Sequence, residues 1–392
     1  MNSQNPVTYL DNAATSWPKP PEVAAAMTEF LEHGAANPGR AGHRMAVAAE
    51  KMLDCVRKQL SEFIGGTDIH RLIFAMNCTD ALNMAFKSIL RSGDHVITTR
   101  LEHNSISRPL QTMADAGFIT LTRVGFSPET GVIDPDEVKK AITPKTRIIA
   151  MTHAGNVVGT LQPVAAVGKV ARERGVLLLL DTAQTIGAVP INVVHEHVDM
   201  VAFPGHKSLL GPTGTGGLYI HTTVNVDELI AVREGGTGGD SSTPTQPRLM
   251  PYLLEGGTPN TVGIAGLGAA TAFVISHDPG KTLAHERALV QRFIDGVADI
   301  AALTIYGPKG PNAAANRVGT LSFNVQGYSP QELGGILDES FSIAVRPGLH
   351  CSPYAHRVIG TFPDGAVRMS PGYFNTVADI DLLLEALHQV TA

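Results

Sequence analysis

The chain predicts an α/β fold: a mostly parallel sheet covered by helices, followed by a smaller α+β domain at the C-terminal end. Three observations carry this. Short β-branched or leucine-rich runs alternate with stretches of helical period along most of the chain. Runs such as Val176–Leu180 are apolar throughout, as in strands buried on both faces. A length of 392 residues allows about two to three domains at ~150 residues each. The expected division is a large domain of residues 15–260 and a small one made of 1–14 with 261–392.

In chain order, Pro20-Pro21-Glu22 opens an alanine-rich helix that stops at His33-Gly34, with proline at its start and glycine past its end. A helical pattern from Ala48 to Phe63 carries Cys55 and reads as core. Arg71–Ala75 reads as a strand, Thr79–Leu90 as a helix, and His95–Thr99 and Arg147–Thr152 as strands. Val164–Glu173 follows as a helix, then Val176–Leu180 and Met200–Phe203 as buried strands. Around Gly235–Gly257 glycine, threonine and proline take over; the stretch is too long for a plain turn and is either a functional loop or partly disordered. A helix then runs from about Val262 towards Ile275. Its Gly263-Ile-Ala-Gly266-Leu-Gly268 begins a helix instead of following a strand, so it reads as close packing and not as a dinucleotide loop.

Composition removes several function classes. Thirty basic against 36 acidic side chains leave a net charge of −6, unlike the basic footprint of a nucleic-acid binder. No apolar run approaches the ~18 residues that span a bilayer. The opening MNSQNPVTYLDN has no basic-then-apolar leader, so a cytoplasmic protein is expected. Three scattered cysteines, Cys55, Cys78 and Cys351, form neither a disulfide framework nor a zinc site and point to a reducing compartment. His195-Glu-His197 has no accompanying ligand cluster, so no metal is expected.

Four segments carry chemistry. In Asp199-Met-Val-Ala-Phe-Pro-Gly-His-Lys207 a buried strand delivers a lysine into a glycine-rich loop, where burial and a cationic neighbour free its amine for a carbonyl cofactor; a surface lysine in a turn is the plain alternative. Asp181 follows the Val176–Leu180 run at the carboxyl edge of the sheet. A buried carboxylate there needs a cation, for which the pyridinium nitrogen of pyridoxal phosphate (PLP) is one candidate; a helix N-cap is the other reading. Asn77-Cys78-Thr79 at a strand-to-helix junction offers N–H groups and a hydroxyl to a phosphate, or simply caps the helix. His103, in Glu102-His103-Asn104-Ser105, is placed to stack on a flat cofactor or is a polar loop residue.

Together and in this order the segments resemble fold-type I PLP enzymes of the class V aminotransferase group, and within it the cysteine desulfurase and selenocysteine lyase family. The resemblance runs from Tyr9-Leu-Asp-Asn-Ala-Ala-Thr15 to Arg368-Met-Ser-Pro-Gly-Tyr-Phe-Asn375. It implies that Lys207 carries the cofactor, Asp181 pairs with its ring nitrogen and His103 stacks on the ring. Gln184 and Asn156 would bond its phenolic oxygen, while Thr79 and His206, with Cys78 beside them, would surround its phosphate. Thr258, in Glu255-Gly-Gly-Thr-Pro-Asn260, corresponds to a phosphate contact from a neighbouring subunit, which implies a homodimer. Arg346 and Arg368 correspond to binders of the substrate α-carboxylate, with Asn156 beside them.

Arg346-Pro-Gly-Leu-His350-Cys351-Ser-Pro353 resembles the short active-site segment of the group II desulfurases. It implies that Lys207 removes the α-proton of L-cysteine and that a Cys351 thiolate, favoured by His350 and Arg346, takes the sulfur as a persulfide, leaving alanine. Selenocysteine is an alternative substrate, and a sulfur-acceptor protein an expected partner. Cys55 and Cys78 read as packing residues. One position departs from the family: Pro204 stands where a phosphate-binding Ser or Thr is usual, shifting that task to Thr79, His206 and Thr258. The competing readings are another PLP-dependent carbon–sulfur lyase or aminotransferase on the same scaffold, and a non-catalytic interaction protein that retains the fold.

Overall fold

A computed structural model describes residues 7–39, 42–237 and 242–392. Its large sheet has seven strands in the spatial order Leu72–Ala75, Gly216–Ile220, Met200–Pro204, Leu177–Asp181, Thr146–Thr152, Asp94–Thr99 and Ile119–Val124. Six point the same way and Gly216–Ile220 runs against them. Leu178, Leu180 and Val201 pack into the core on one face, and Leu179, Met200 and Ala202 into that on the other. Burial on both faces is why these strands read as unbroken apolar runs.

Two strands of this sheet escaped the sequence reading. Gly216 and Gly217 make GGLYI look like a loop, yet a Cβ at Gly216 would lie 2.5 Å from the Phe203 carbonyl oxygen, and one at Gly217 2.5 Å from the Phe203 ring. Glycine there permits close approach between strands. Ile119–Val124 lies at the sheet edge, with three of its residues half-buried, and so lacks an apolar run.

A second, antiparallel sheet is built from Arg346–Gly348, Ala366–Met369, Leu321–Val325 and Leu303–Ile305, in that order. Helices Pro279–Gly296, Pro330–Phe341 and Val377–Thr391 share its core through Phe293, Leu337 and Leu383 against Phe323 and Val367. Thr8–Tyr9 pairs with Ile343–Ala344, tying the N-terminal segment to this part of the chain.

Helix Thr261–Ser276 lies on the small-domain side of the expected boundary but packs with the large sheet, where Ile264 and Leu267 join its core. Cβ atoms at Gly266 and Gly268 would come within 2.7 Å of Met27 and 2.6 Å of Val56, so those glycines let helices approach. Cys55 corrects an expectation. Leu53, Val56 and Leu60 take the buried face of helix Arg44–Phe63 and leave Cys55 exposed. Within the Gly235–Gly257 stretch, residues 238–241 lie outside the described residues. Among the described residues no helix is long and apolar enough to cross a membrane.

Candidate active site

The carboxyl ends of the parallel strands assemble the site, the place where open α/β sheets bind ligands. Asp181 ends one strand and Pro204 its neighbour, with His206 and Lys207 just beyond. Asn77–Thr79 follow the strand ending at Ala75, His103 the one ending at Thr99, and Asn156 the one ending at Thr152. Strand register places Thr152 beside Asp181, and Asp181 beside Ala202. A cavity of about 270 Å³ is lined by Cys78, Thr79, His103, Asn156, Asp181, Gln184, His206 and Lys207, with Pro204.

Asp181 is buried, and burial pushes its carboxyl upward. Its Oδ1 accepts from Ala183 N–H at 2.8 Å and from the Cys78 thiol at 3.3 Å. It forms no ion pair among the described residues, so a cation is the partner its position asks for. The Lys207 amine is lowered to about 8 by burial and the Arg368 charge, well into the range where a neutral amine is available. Burial and the surrounding cations bring the His103 imidazole down to about 3, so it stays neutral.

Helix Cys78–Ile89 starts at the cavity wall. Asn77 caps it by accepting from Asp80 N–H, and the Asn77 carbonyl takes the Ala81 N–H. This leaves the Cys78 and Thr79 N–H groups unpaired among the described residues, an arrangement suited to an anion. The Thr79 and Ser105 hydroxyls lie 2.6 Å apart, and Ser105 Oγ is 2.8 Å from His103 Nδ1. His206 Nδ1 bonds Thr15 Oγ1 at 3.0 Å, and burial with the nearby Lys207 charge lowers that ring to about 4.

Arg346 and Arg368 stand opposite each other in adjacent strands. Like charges so placed repel unless an anion lies between them. Asp11 answers Arg368 at 2.8 Å, whereas no carboxylate pairs with Arg346 among the described residues. The Cys351 sulfur lies 3.9 Å from Arg346 Nη2. These three residues do not line the cavity itself, yet Arg346 and Arg368 act electrostatically on both Lys207 and His103.

Several details correct or extend the sequence reading. Cys78 is no mere packing residue, because its thiol reaches Asp181; burial and that carboxylate push it well above the ordinary thiol range. Iodoacetamide is therefore expected to label exposed Cys55 and half-buried Cys351 at least about ten times faster than Cys78, measured peptide by peptide with mass spectrometry. His350 lends no positive charge to Cys351, since burial and the Arg368 charge keep its ring neutral.

Thr258 is exposed and lines a different cavity, with Arg57, Tyr252 and Glu255. Asn77, Ser105, Thr152 and Ala183 also line the site without having been assigned a role of their own, although Asn77 and Ser105 stood in segments read as carrying chemistry. Fully buried Glu102 is pushed up to about 8 by burial, and its Oε1 accepts from Thr99 Oγ1 and Thr152 N–H, fastening the turn that leads to His103.

The class V aminotransferase profile matches residues 8–383. The chain is 34% identical to a probable cysteine desulfurase of Methanothermobacter thermautotrophicus, over 97% of this chain and 94% of that protein. It is 32% identical to a cysteine desulfurase of Salmonella dublin, over 98% and 93% respectively. Among solved structures it resembles an apo cysteine desulfurase from Thermococcus onnurineus NA1, with a TM-score of 0.91 at 30% identity, covering 98% of this chain and 94% of that one. The cysteine desulfurase CsdA (S-sulfonic acid) from Escherichia coli gives 0.86 at 26% identity with the same coverage. With the profile matched nearly end to end and the fold shared with solved desulfurases, the chain belongs to the class V aminotransferases, a PLP-dependent family.

Proposed function

We propose that this chain is a cysteine desulfurase that moves the sulfur of L-cysteine onto Cys351 and releases L-alanine. The observation that carries the reading is the Cys351 thiol beside Arg346, which stands opposite Arg368 and within electrostatic range of Lys207. A carboxylate bridging the two arginines would hold an amino acid between the amine and the thiol.

The residues present fit PLP. Asp181 offers a buried carboxylate to the ring nitrogen, His103 a neutral ring to stack on, and Lys207 an amine for the aldehyde. The phosphate falls to the N–H groups and hydroxyl of Cys78–Thr79, to His206, and to Ser105, which lines the same cavity. Gln184 and Asn156 belong to the phenolic oxygen. The Asn156 amide already donates to the His350 carbonyl and accepts from Ser352 Oγ, which leaves one N–H for that task. When bound, the cofactor supplies an electron sink for the pair left by the Cα proton.

Lys207 then takes that proton, and the Cys351 sulfur attacks the substrate sulfur. The substrate carbon–sulfur bond breaks, a sulfur–sulfur bond forms, and Cβ gains the proton that completes alanine. Atoms balance as cysteine plus thiol giving alanine plus persulfide.

Thr258 would serve the site of a second copy, in a homodimer. The persulfide would pass to an acceptor protein, and a free Cys351 thiol suits a reducing cytoplasm. Selenocysteine is a further substrate under this reading. Among the described residues the small domain that carries both arginines is best taken as 7–14 with 277–392, since helix Thr261–Ser276 packs with the large sheet.

Incubation with L-cysteine and a reductant is expected to give alanine and sulfide in equal amounts, and a single turnover without the reductant to leave one sulfur atom added to Cys351 by mass spectrometry. Pyruvate and ammonia in place of alanine, with no sulfur on Cys351, would favour another carbon–sulfur lyase that expels sulfide by elimination. A protein that gains no visible absorbance from added PLP would favour the non-catalytic reading. Pro204→Ser is expected to tighten PLP binding by about tenfold, the worth of one hydrogen bond to a charged group, and equal affinity in titration would count against the assigned phosphate set.

A further inference from the structure

His350 and Cys351 both take left-handed backbone, with φ of 49° and 58°. Side chains with a Cβ resist this conformation, which persists only where surrounding contacts impose it. Those contacts are short here. The His350 carbonyl accepts from Asn156 Nδ2, and the Cys351 carbonyl from Asn104 N–H, both at 2.7 Å. Ser352 Oγ donates to Asn156 Oδ1 at 2.7 Å.

A buried chain of side chains stands behind the turn. His350 Nε2 lies 2.9 Å from the Arg346 carbonyl oxygen, and His350 Nδ1 3.3 Å from His356 Nε2. His356 Nδ1 lies 2.7 Å from Thr361 Oγ1. His356 has no solvent exposure, and His350 and Thr361 are buried with it.

The directions of these bonds follow from chemistry. A carbonyl only accepts, so His350 Nε2 carries the proton. The ring is neutral, so Nδ1 is a lone pair and His356 Nε2 donates to it. The Thr361 hydroxyl then donates to His356 Nδ1. The chain runs one way, from Thr361 to the Arg346 carbonyl.

We propose that His356 is a positioning residue for the nucleophile, holding the Arg346–Cys351 turn through His350 so that the thiol stays beside the Arg346 guanidinium. Its ring does not line the cavity, and its effect passes through the neighbouring imidazole and through the Leu349 carbonyl of the same turn, to which it also bonds. Only the turnover arm of the test rests on the desulfurase reading.

Two variants of the cofactor-loaded protein separate positioning from packing. His356→Leu fills much of the volume and donates nothing, whereas His356→Gln returns an N–H near the lost Nε2. The leucine variant is expected to slow Cys351 alkylation by iodoacetamide about fivefold as the sulfur leaves the guanidinium. Its kcat for alanine formation from L-cysteine should fall about tenfold, with KM changed less than about threefold, because the thiol and not the substrate is displaced. Glutamine should recover both rates to within about threefold of the parent.

Unchanged rates in His356→Leu, or a glutamine variant as impaired as the leucine one, would overturn the proposal. A parent protein that makes no alanine would sink the desulfurase reading alone, since the alkylation rates still decide the role of His356. Should His356→Leu fail to fold, Thr361→Val removes the hydroxyl that orients the ring. It should slow alkylation about twofold or more, and an unchanged rate would overturn the proposal equally.

Discussion

Lys207→Ala is expected to lower turnover with L-cysteine by at least about 10³-fold, since one residue supplies both the covalent anchor and the general base. Borohydride reduction of the loaded parent should fix the cofactor to Lys207, detectable by peptide mass spectrometry, and the variant should show no such adduct. The same amine sets a pH dependence. Its value is lowered to about 8 by burial and Arg368, so it is mainly charged below that pH and mainly neutral above it. The rate at which the cofactor-free protein takes up PLP should rise about fivefold from pH 7 to pH 8, following the neutral fraction, and flatten above pH 9. A profile that climbs steadily to pH 10 would place the amine near its ordinary value and contradict the burial argument. Arg368→Gln removes the second-largest cause of the lowering and should move the midpoint upward.

The parts of this site legible in the sequence were those fixed by strand ends. Asp181, His206 and Lys207 follow apolar runs that can only be interior strands, so their arrival at one edge follows from the α/β pattern. Asp181 and Lys207 remained ambiguous singly because a capping aspartate and a turn lysine have the same local appearance; the order of the segments distinguished them. What stayed hidden depends on contacts far apart in sequence. Cys78 looks like a small apolar residue in a helix, and only the fold brings Asp181, 103 positions away, within 3.3 Å of it. The charge expected of His350 was lost for a similar reason, since burial in the small domain is not written in the RPGLHC segment. Gly216 and Gly217 hid a strand because their purpose, contact with Phe203, exists only once the sheet has formed.

Cys351→Ala should leave PLP loading unchanged, because no atom of Cys351 lines the cavity, while alanine formation from L-cysteine falls at least about 10³-fold for want of the attacking sulfur. That combination, measured as normal cofactor absorbance with lost turnover, separates a role in sulfur transfer from one in folding. Selenocysteine sharpens the test. Its carbon–selenium bond breaks more readily, so expulsion of selenium leans less on the thiol, and the variant should lose distinctly less activity towards it than towards cysteine. Full retention of alanine formation with L-cysteine would mean that a thiol other than Cys351, such as the added reductant, takes the sulfur, and Arg346 would then be a carboxylate binder only. Equal loss with both substrates would instead give the Cys351 side chain a part in substrate binding beside Arg346. The cysteine effect should also depend on geometry as well as on the presence of sulfur, since the left-handed turn holds Sγ 3.9 Å from Arg346 Nη2. A serine at 351 keeps the size but cannot form the sulfur–sulfur bond, so it should be as inactive with L-cysteine as alanine.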